Sequence, residues 1–256
     1  MKKVLFILGP TGVGKSDMAV WLAQRFNGEI ISADSVQIFR KMNIGSAKIT
    51  EEEMCEIKHH CIDILDPNEE FSVFEFVELT KNKIDEIISK GKLPIICGGT
   101  GLYVKSLVLG YDFGGSGKDA EKREELKKLA DEKGLEFLYE KLKEVAPALA
   151  EKISVNDEKR IIRGLEIASS EVMPSKKESD IEPLIIGLNM DRAKLYERIN
   201  FRAEKMFDLG LVEEVKSLLD DGVDENAQSM KAIGYKEVVS YLKDEISKDE
   251  MIELVK

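Results

Sequence analysis

Eight residues near the amino terminus carry the strongest chemical signal. Gly9-Pro10-Thr11-Gly12-Val13-Gly14-Lys15-Ser16 matches the G-x-x-x-x-G-K-[ST] phosphate-loop pattern. Glycines at this spacing let consecutive backbone N–H groups turn inward on phosphate oxygens, and the start of a helix behind them adds partial positive charge. Lys15 supplies a full charge and Ser16 a hydroxyl able to hold Mg²⁺. All eight residues are therefore the expected binding site of a diphosphate, with Ser16 the expected metal contact. The loop alone does not choose a reaction, because it grips a diphosphate equally well on a nucleotide or on another pyrophosphate ester.

Other polar residues are less specific on their own. Arg198 and Arg202 are four apart and share one face of a helix, and their ordinary reading is a solvated basic face paired with Glu197 or Glu204. Lys159, Arg160 and Arg163 form a local cationic cluster that by itself also reads as a solvated face. His59 and His60 are neighbours, which rarely point to one metal, so packing or capping roles are expected. Cys55, Cys61 and Cys97 form no C-x-x-C pair. They read as reduced thiols, with neither a disulfide framework nor a cysteine zinc site.

The elements that must position these groups follow from hydrophobic spacing. Val4 to Leu8 is a short apolar run ending at Gly9-Pro10, and Ser16 to Phe26 follows with helical periodicity, giving strand, loop and helix. Ile30-Ile31 reads as a second buried strand whose carboxyl end carries Ser32-Ala33-Asp34-Ser35. Phe74 to Ile88 is an amphipathic helix, and Leu93 to Cys97 a third buried strand running into Gly98-Gly99-Thr100-Gly101. From Tyr111 the character changes: Gly114-Gly115-Ser116-Gly117 is a flexible joint, and Asp119 to Ser170 is helical and densely charged. Turn residues recur from Pro174 to Pro183 before Leu184 to Leu188 resumes the buried-strand pattern. Two helices close the reading, marked by Leu195, Ile199 and Met206 and by Val212, Val215 and Leu219. The expected fold class is α/β, a P-loop three-layer fold with a parallel sheet and an inserted small all-helical domain. Its expected core is 1–112 with 183–256, and its insertion 113–182.

Composition narrows the function classes. The 256 residues are 43% hydrophobic and 34% charged, which fits a globular chain rather than a disordered one. The longest apolar runs are far short of the roughly 20 residues a membrane helix needs, and the start lacks a cleavable signal pattern. A cytoplasmic protein without a membrane partner is the expectation. A net charge of −11 argues against non-specific coating of nucleic acid, where Lys and Arg neutralise phosphates. RNA contact must then be local, as in recognition of one particular RNA shape.

Five further segments carry a resemblance. They are Ile31-Ser32-Ala33-Asp34-Ser35-Val36-Gln37-Ile38-Phe39 with Ile44-Gly45-Ser46-Ala47-Lys48; His59-His60-Cys61-Ile62-Asp63-Ile64-Leu65-Asp66-Pro67; Gly98-Gly99-Thr100-Gly101-Leu102-Tyr103; Asn156-Asp157-Glu158-Lys159-Arg160-Ile161-Ile162-Arg163-Gly164-Leu165-Glu166; and Ala232-Ile233-Gly234-Tyr235-Lys236. In this order, with the phosphate loop, they resemble the bacterial tRNA dimethylallyltransferase family over nearly the whole chain. The resemblance implies transfer of a dimethylallyl group from its diphosphate to N6 of the adenine just 3′ of the anticodon, with Mg²⁺ as cofactor. It implies that the insertion grips the anticodon stem-loop, and no obligate protein partner is expected of what reads as a monomer. By the same resemblance Asp34 is the base, with Thr100 and Arg202 the other catalytic groups. Asp34, Ser35, Val36, Gln37, Thr100, Arg123, Lys159, Arg160, Ile161, Ile162, Arg163 and Lys231 are the implied tRNA contacts. An adenine amine is a poor nucleophile, so a base at N6 helps, and cations at the departing pyrophosphate lower the barrier. Asp34 also reads as a Mg²⁺ ligand or as a helix or turn cap. Relatives of this kind continue past the last helix with a basic segment ending near a Trp, whereas Lys256 is the last residue here; full tRNA affinity is the expectation this bears on.

Three alternatives share the loop. A nucleoside or small-metabolite kinase would bind and turn over ATP, a prenyltransferase of free adenine nucleotides would not need the basic cluster of the insertion, and a switch-like nucleotide-binding protein would bind without turnover. Asn82-Lys83-Ile84-Asp85 spells the G-domain base-reading string N-K-x-D, but within the amphipathic helix rather than after a strand.

Overall fold

Val4, Leu5, Phe6 and Ile7 are successive residues that point to opposite faces of one strand, and all four are buried. That pattern requires a sheet covered on both sides. The computed structural model describes residues 1–112, 120–169, 175–176 and 179–256. In chain order the elements begin β1 (Lys2–Leu8), α1 (Lys15–Phe26), β2 (Gly28–Ser32), α2 (Glu51–Met54), β3 (His59–His60), α3 (Val73–Ser89), β4 (Leu93–Gly98) and α4 (Gly101–Val108). They continue β5 (Tyr111–Asp112), α5 (Ala120–Lys133), α6 (Leu135–Val145), α7 (Pro147–Ala150), α8 (Glu158–Ala168), β6 (Ser175–Lys176) and β7 (Ile181–Gly187). The chain closes with α9 (Arg192–Asp208), α10 (Leu211–Asp220), a 3-10 turn (Ser229–Lys231), α11 (Tyr235–Leu242) and α12 (Lys248–Val255).

Five strands form a wholly parallel sheet in the order β3-β2-β4-β1-β7. Its register places Leu8 beside Gly98 and Ser32 beside Cys97. The segments that follow β1, β2 and β4 therefore leave the sheet together at its carboxyl edge, where open α/β sheets bind ligands. On one face, Leu5, Ile7, Ile30 and Ile95 pack with Ala19, Val20, Leu22 and Ala23 of α1.

The chain folds into two compact units, one of Met1–Val108 with Ser179–Lys256 and the other of Leu109–Glu178. Each boundary lies four residues before the expected one, at 109 against 113 and 178 against 182. The second unit has its own core, in which Leu138 and Leu142 of α6 pack with Ile161, Ile162 and Leu165 of α8. The expected joint Gly114-Gly115-Ser116-Gly117 and the turn at Pro174 lie outside the described residues. Among the described residues no helix is long and apolar enough to cross a membrane.

One expectation needs correction. The strand after Pro183 reads as buried, yet Leu184 is 66% and Ile185 49% exposed. Among the described residues β7 has a sheet neighbour, β1, on one side only, so an apolar sequence there occupies an edge.

Candidate active site

The phosphate loop joins β1 to α1. Gly12 and Gly14 take φ values of 80° and 94°, a left-handed conformation that side chains disfavour and by which such loops turn successive N–H groups to one side. Lys15 Nζ donates to the Pro10 carbonyl oxygen at 2.7 Å across the loop. Burial draws the Lys15 pKa below its ordinary value, and the Arg202 charge adds to this against the pull of Asp34. An ammonium in that state is poised to gain from a phosphate partner.

The opposite wall is set by the approach of β4 to the end of β2. Ala33 N–H donates to Cys97 O at 2.8 Å and Thr100 N–H to Ala33 O at 3.2 Å. A Cβ on Gly98 would overlap the Ala33 backbone, so only glycine permits the crossing. Asp34 stands on this platform, its Oδ1 accepting the N–H groups of Val36 at 2.8 Å and Gln37 at 3.2 Å. The turn-cap role is thus realised through one oxygen. Neither of these bonds uses Oδ2. Gln37 is locked in turn: its Oε1 accepts from Ser32 Oγ at 3.2 Å and its Nε2 donates to the carbonyls of Ser46 and Ala47.

Arg202 of α9 arrives from the far end of the sequence. It lines one pocket with Thr11, Lys15, Ser16, Asp34 and Gly99. Burial lowers its pKa and Asp34 opposes this; a guanidinium remains charged throughout. The pocket holds about 650 Å³ of empty space, counting the part open to solvent. Ala19, Ile30, Ile49 and Ile62, with His59 and Cys97, add apolar side chains to a lining that also includes Ser32 and Gln37. The Cys97 thiol is pushed up to about 12 by burial, so it is an inert neutral wall. On the outer side of the loop, Arg198, Phe201 and Lys205 of α9 join Gly12, Gly14, Lys15 and Ser16 around a wider groove.

The structure thus brings Lys15, Ser16, Asp34, Gln37 and Arg202 together, and places Ser35 and Val36 in the half-buried turn that Asp34 caps. Thr100 is not in the pocket lining; it sits half-buried where α4 begins, its carbonyl accepting from Tyr103 N. Lys231 is exposed on the 3-10 turn. Arg198 has none of the described ion pairs, and Glu204 pairs with Lys256 at 2.9 Å instead. His59, Ile49 and Ile62 were not singled out by the sequence as pocket residues, and only the position of His59 beside the strand of Ile30 could have signalled it. His60 packs as expected, its Nε2 2.7 Å from Glu29 Oε2.

In the second unit the cationic cluster splits. Arg163 and Arg123 both bind Glu166, which is 6% exposed. Lys159 and Arg160 are exposed, Arg160 beside Asp157 at 3.3 Å. Ile161 and Ile162, also among the implied tRNA contacts, have side chains 0% and 4% exposed, because the apolar face of α8 packs on α6.

The described residues contain no group of three or more His, Cys, Asp or Glu side chains placed to hold a metal. Mg²⁺ at phosphate sites commonly uses one or two protein oxygens together with phosphate and water. The Ser16 hydroxyl, in the first turn of α1 and lining the pocket with Asp34, fits that smaller demand.

A phosphate loop at the carboxyl edge of an open parallel sheet places the chain among P-loop α/β proteins. The IPP transferase family model matches residues 37–256 and the isopentenyl transferase model residues 2–70. The tRNA dimethylallyltransferase of Acetivibrio thermocellus is 49% identical, over 100% of this chain and 84% of that protein. The enzyme of the same name from Bacillus anthracis is 48% identical, over 100% and 83%. Among solved structures, the full-length tRNA isopentenylpyrophosphate transferase of Bacillus halodurans aligns with a TM-score of 0.74 at 42% identity, covering 100% of this chain and 82% of that one. A eukaryotic dimethylallyltransferase acting on tRNA aligns at 0.80 with 27% identity, covering 100% and 66%. The chain belongs to the IPP transferase family, whose relatives here are tRNA dimethylallyltransferases.

Proposed function

We propose that this protein transfers the dimethylallyl group of dimethylallyl diphosphate to N6 of the adenine just 3′ of the anticodon in tRNA, releasing pyrophosphate. The observation that carries this reading is the convergence of Lys15, Ser16 and Arg202 with Asp34 on a pocket that also has Ile30, Ile49 and Ile62 in its lining. A diphosphate ester of a short hydrocarbon matches both sets of residues, and family membership supplies the acceptor.

In this reading the N6 lone pair forms a bond to the prenyl carbon as that carbon's bond to the bridging oxygen breaks. The electron pair stays with pyrophosphate, where Lys15 and Arg202 take up its charge. Asp34 Oδ2 receives the N6 proton while Oδ1 remains held by the Val36 and Gln37 N–H groups. That anchoring fixes the carboxylate direction and so favours one attack geometry. Mg²⁺, when bound at Ser16 and the diphosphate, would neutralise part of the leaving-group charge. Lys159 and Arg160 provide exposed cations for the anticodon stem-loop, with Lys231 a further candidate on the first unit.

The deciding experiment incubates the protein with dimethylallyl diphosphate, Mg²⁺ and unmodified tRNA and seeks a prenylated adenosine by mass spectrometry. Product on tRNA, with little ATP turnover, is the expected result. Prenylation of free adenine nucleotides in place of tRNA, or ATP-dependent phosphorylation, would replace this reading.

A further inference from the structure

The pocket is chemically two-ended. Lys15, Ser16, Asp34 and Arg202 stand at the carboxyl edge of the sheet, while Ile30 and His59, paired across β2 and β3, line the pocket deeper along the strands. Ser32 and Ile30 project from the same face of β2, so Ile30 lies roughly 6–7 Å deeper than Ser32 at about 3.3 Å per residue. His59 is the register partner of Ile30 across the β2–β3 pair, and partners in register project to the same side. Behind Ile30, itself 2% exposed, the space is filled by Leu5, Ala23 and Ile95.

The His59 ring is held in place. Its Nδ1 lies 2.8 Å from the Ile57 carbonyl oxygen, which makes Nδ1 the protonated nitrogen and fixes the ring plane. Burial is the main cause of a lowered pKa, with His60 adding to it, so the ring is neutral at pH 7 and compatible with a hydrocarbon beside it. Five carbons reach about 6 Å from the reacting carbon to the outer surface of the terminal methyls, with C–C bonds near 1.5 Å. This matches the depth between Ser32 and Ile30.

We propose that His59 closes the far end of the hydrocarbon part of the donor site and is a specificity-determining residue that limits the prenyl chain to five carbons. This rests on the reading of the chain as a prenyl-diphosphate transferase. The next isoprene unit of a geranyl chain would have to occupy the place of the imidazole, whose position is set by strand pairing and by the Ile57 contact.

The test compares geranyl with dimethylallyl diphosphate as donors to tRNA, for wild type, His59→Ala and His59→Phe. The ratio of kcat/KM for geranyl over dimethylallyl should rise about tenfold or more in His59→Ala, since one methylene in an apolar pocket is worth roughly 10–200-fold. His59→Phe keeps a ring in place and should stay near the wild-type ratio. A folded His59→Ala protein that transfers dimethylallyl with an unchanged ratio overturns the proposal. Should His59→Ala not fold, competition binding to wild type decides: geranyl diphosphate must bind at least about tenfold more weakly than dimethylallyl diphosphate, and equal affinity overturns the proposal. Wild type that binds both donors yet prenylates no tRNA would count against the proposed function instead, while the competition result still judges His59.

Discussion

Asp34 shows how one side chain holds two assignments open until an experiment separates them. Its Oδ1 is a turn cap, bonded to the N–H groups of Val36 and Gln37, and Asn retains that acceptor and the same size. Asp34→Asn therefore preserves the local turn and removes only basicity. Single-turnover prenyl transfer should slow by roughly 10² to 10⁴, the usual range for loss of a general base, while the Kd for dimethylallyl diphosphate stays near wild type. If Asp34 instead served as a metal ligand, the substitution would weaken donor binding, and rate would recover as Mg²⁺ is raised. A Mg²⁺ titration of both quantities separates the two, and recovery would remove Asp34 as the base.

Elements bring these residues together through contacts made far along the chain. Glu214 of α10 accepts the N–H groups of Asn43, Ile44 and Gly45, and the Tyr235 hydroxyl at 2.7 Å. It thereby ties the loop after β2 to α10 and α11, and burial beside Glu214 keeps the Tyr235 hydroxyl protonated. Glu214→Ala strands those donors and should cost about 2–3 kcal/mol of stability, the worth of hydrogen bonds to a charged group, read as a shift in urea midpoint. At the amino ends of the strands, buried Glu29 of β2 bonds His60 of β3 and Lys92. Burial holds His59 and His60 below the ordinary histidine pKa, so the unfolded chain binds more protons just below pH 6.5 and stability must fall there as pH falls. Burial would raise the Glu29 carboxyl, but Lys92 and His60 outweigh it and hold it below its ordinary value; that contribution is lost only at more acidic pH. Tm should therefore drop between about pH 7.5 and 5.5, and His60→Gln should flatten that slope; an equal slope in the variant would clear His60 of the effect. Much of this framework is legible in sequence where the signal is local: Val4 to Leu8, the phosphate loop and Leu93 to Cys97 each carry their own pattern. β3 is not, because two paired histidines have no apolar run, and the exposure of β7 is not, because an edge is defined by a missing neighbour. Arg202 in the pocket likewise depends on how α9 packs, which the i, i+4 spacing with Arg198 cannot specify.

At the scale of the molecule, an acidic chain of net charge −11 must bind an acidic RNA through few contacts. Of the cations proposed for this, Arg123 and Arg163 are committed to the buried Glu166 carboxylate, whereas Lys159 and Arg160 are exposed. Removing Arg123 or Arg163 would disturb the insertion itself, since the loss of one partner leaves a buried charge poorly compensated. A Lys159→Ala/Arg160→Ala variant isolates the RNA term. Each phosphate contact contributes roughly 0.7 to 0.9 to the slope of log Kd against log salt. The double variant should therefore bind tRNA more weakly at low salt and lose about 1 to 2 from that slope, with its Kd for dimethylallyl diphosphate unchanged. Weakening at all salt concentrations with an unaltered slope would mean the substitutions act through the fold of α8. Unchanged affinity and slope would return both residues to a solvated surface, and leave tRNA recognition to cations of the first unit such as Lys231 and Arg198.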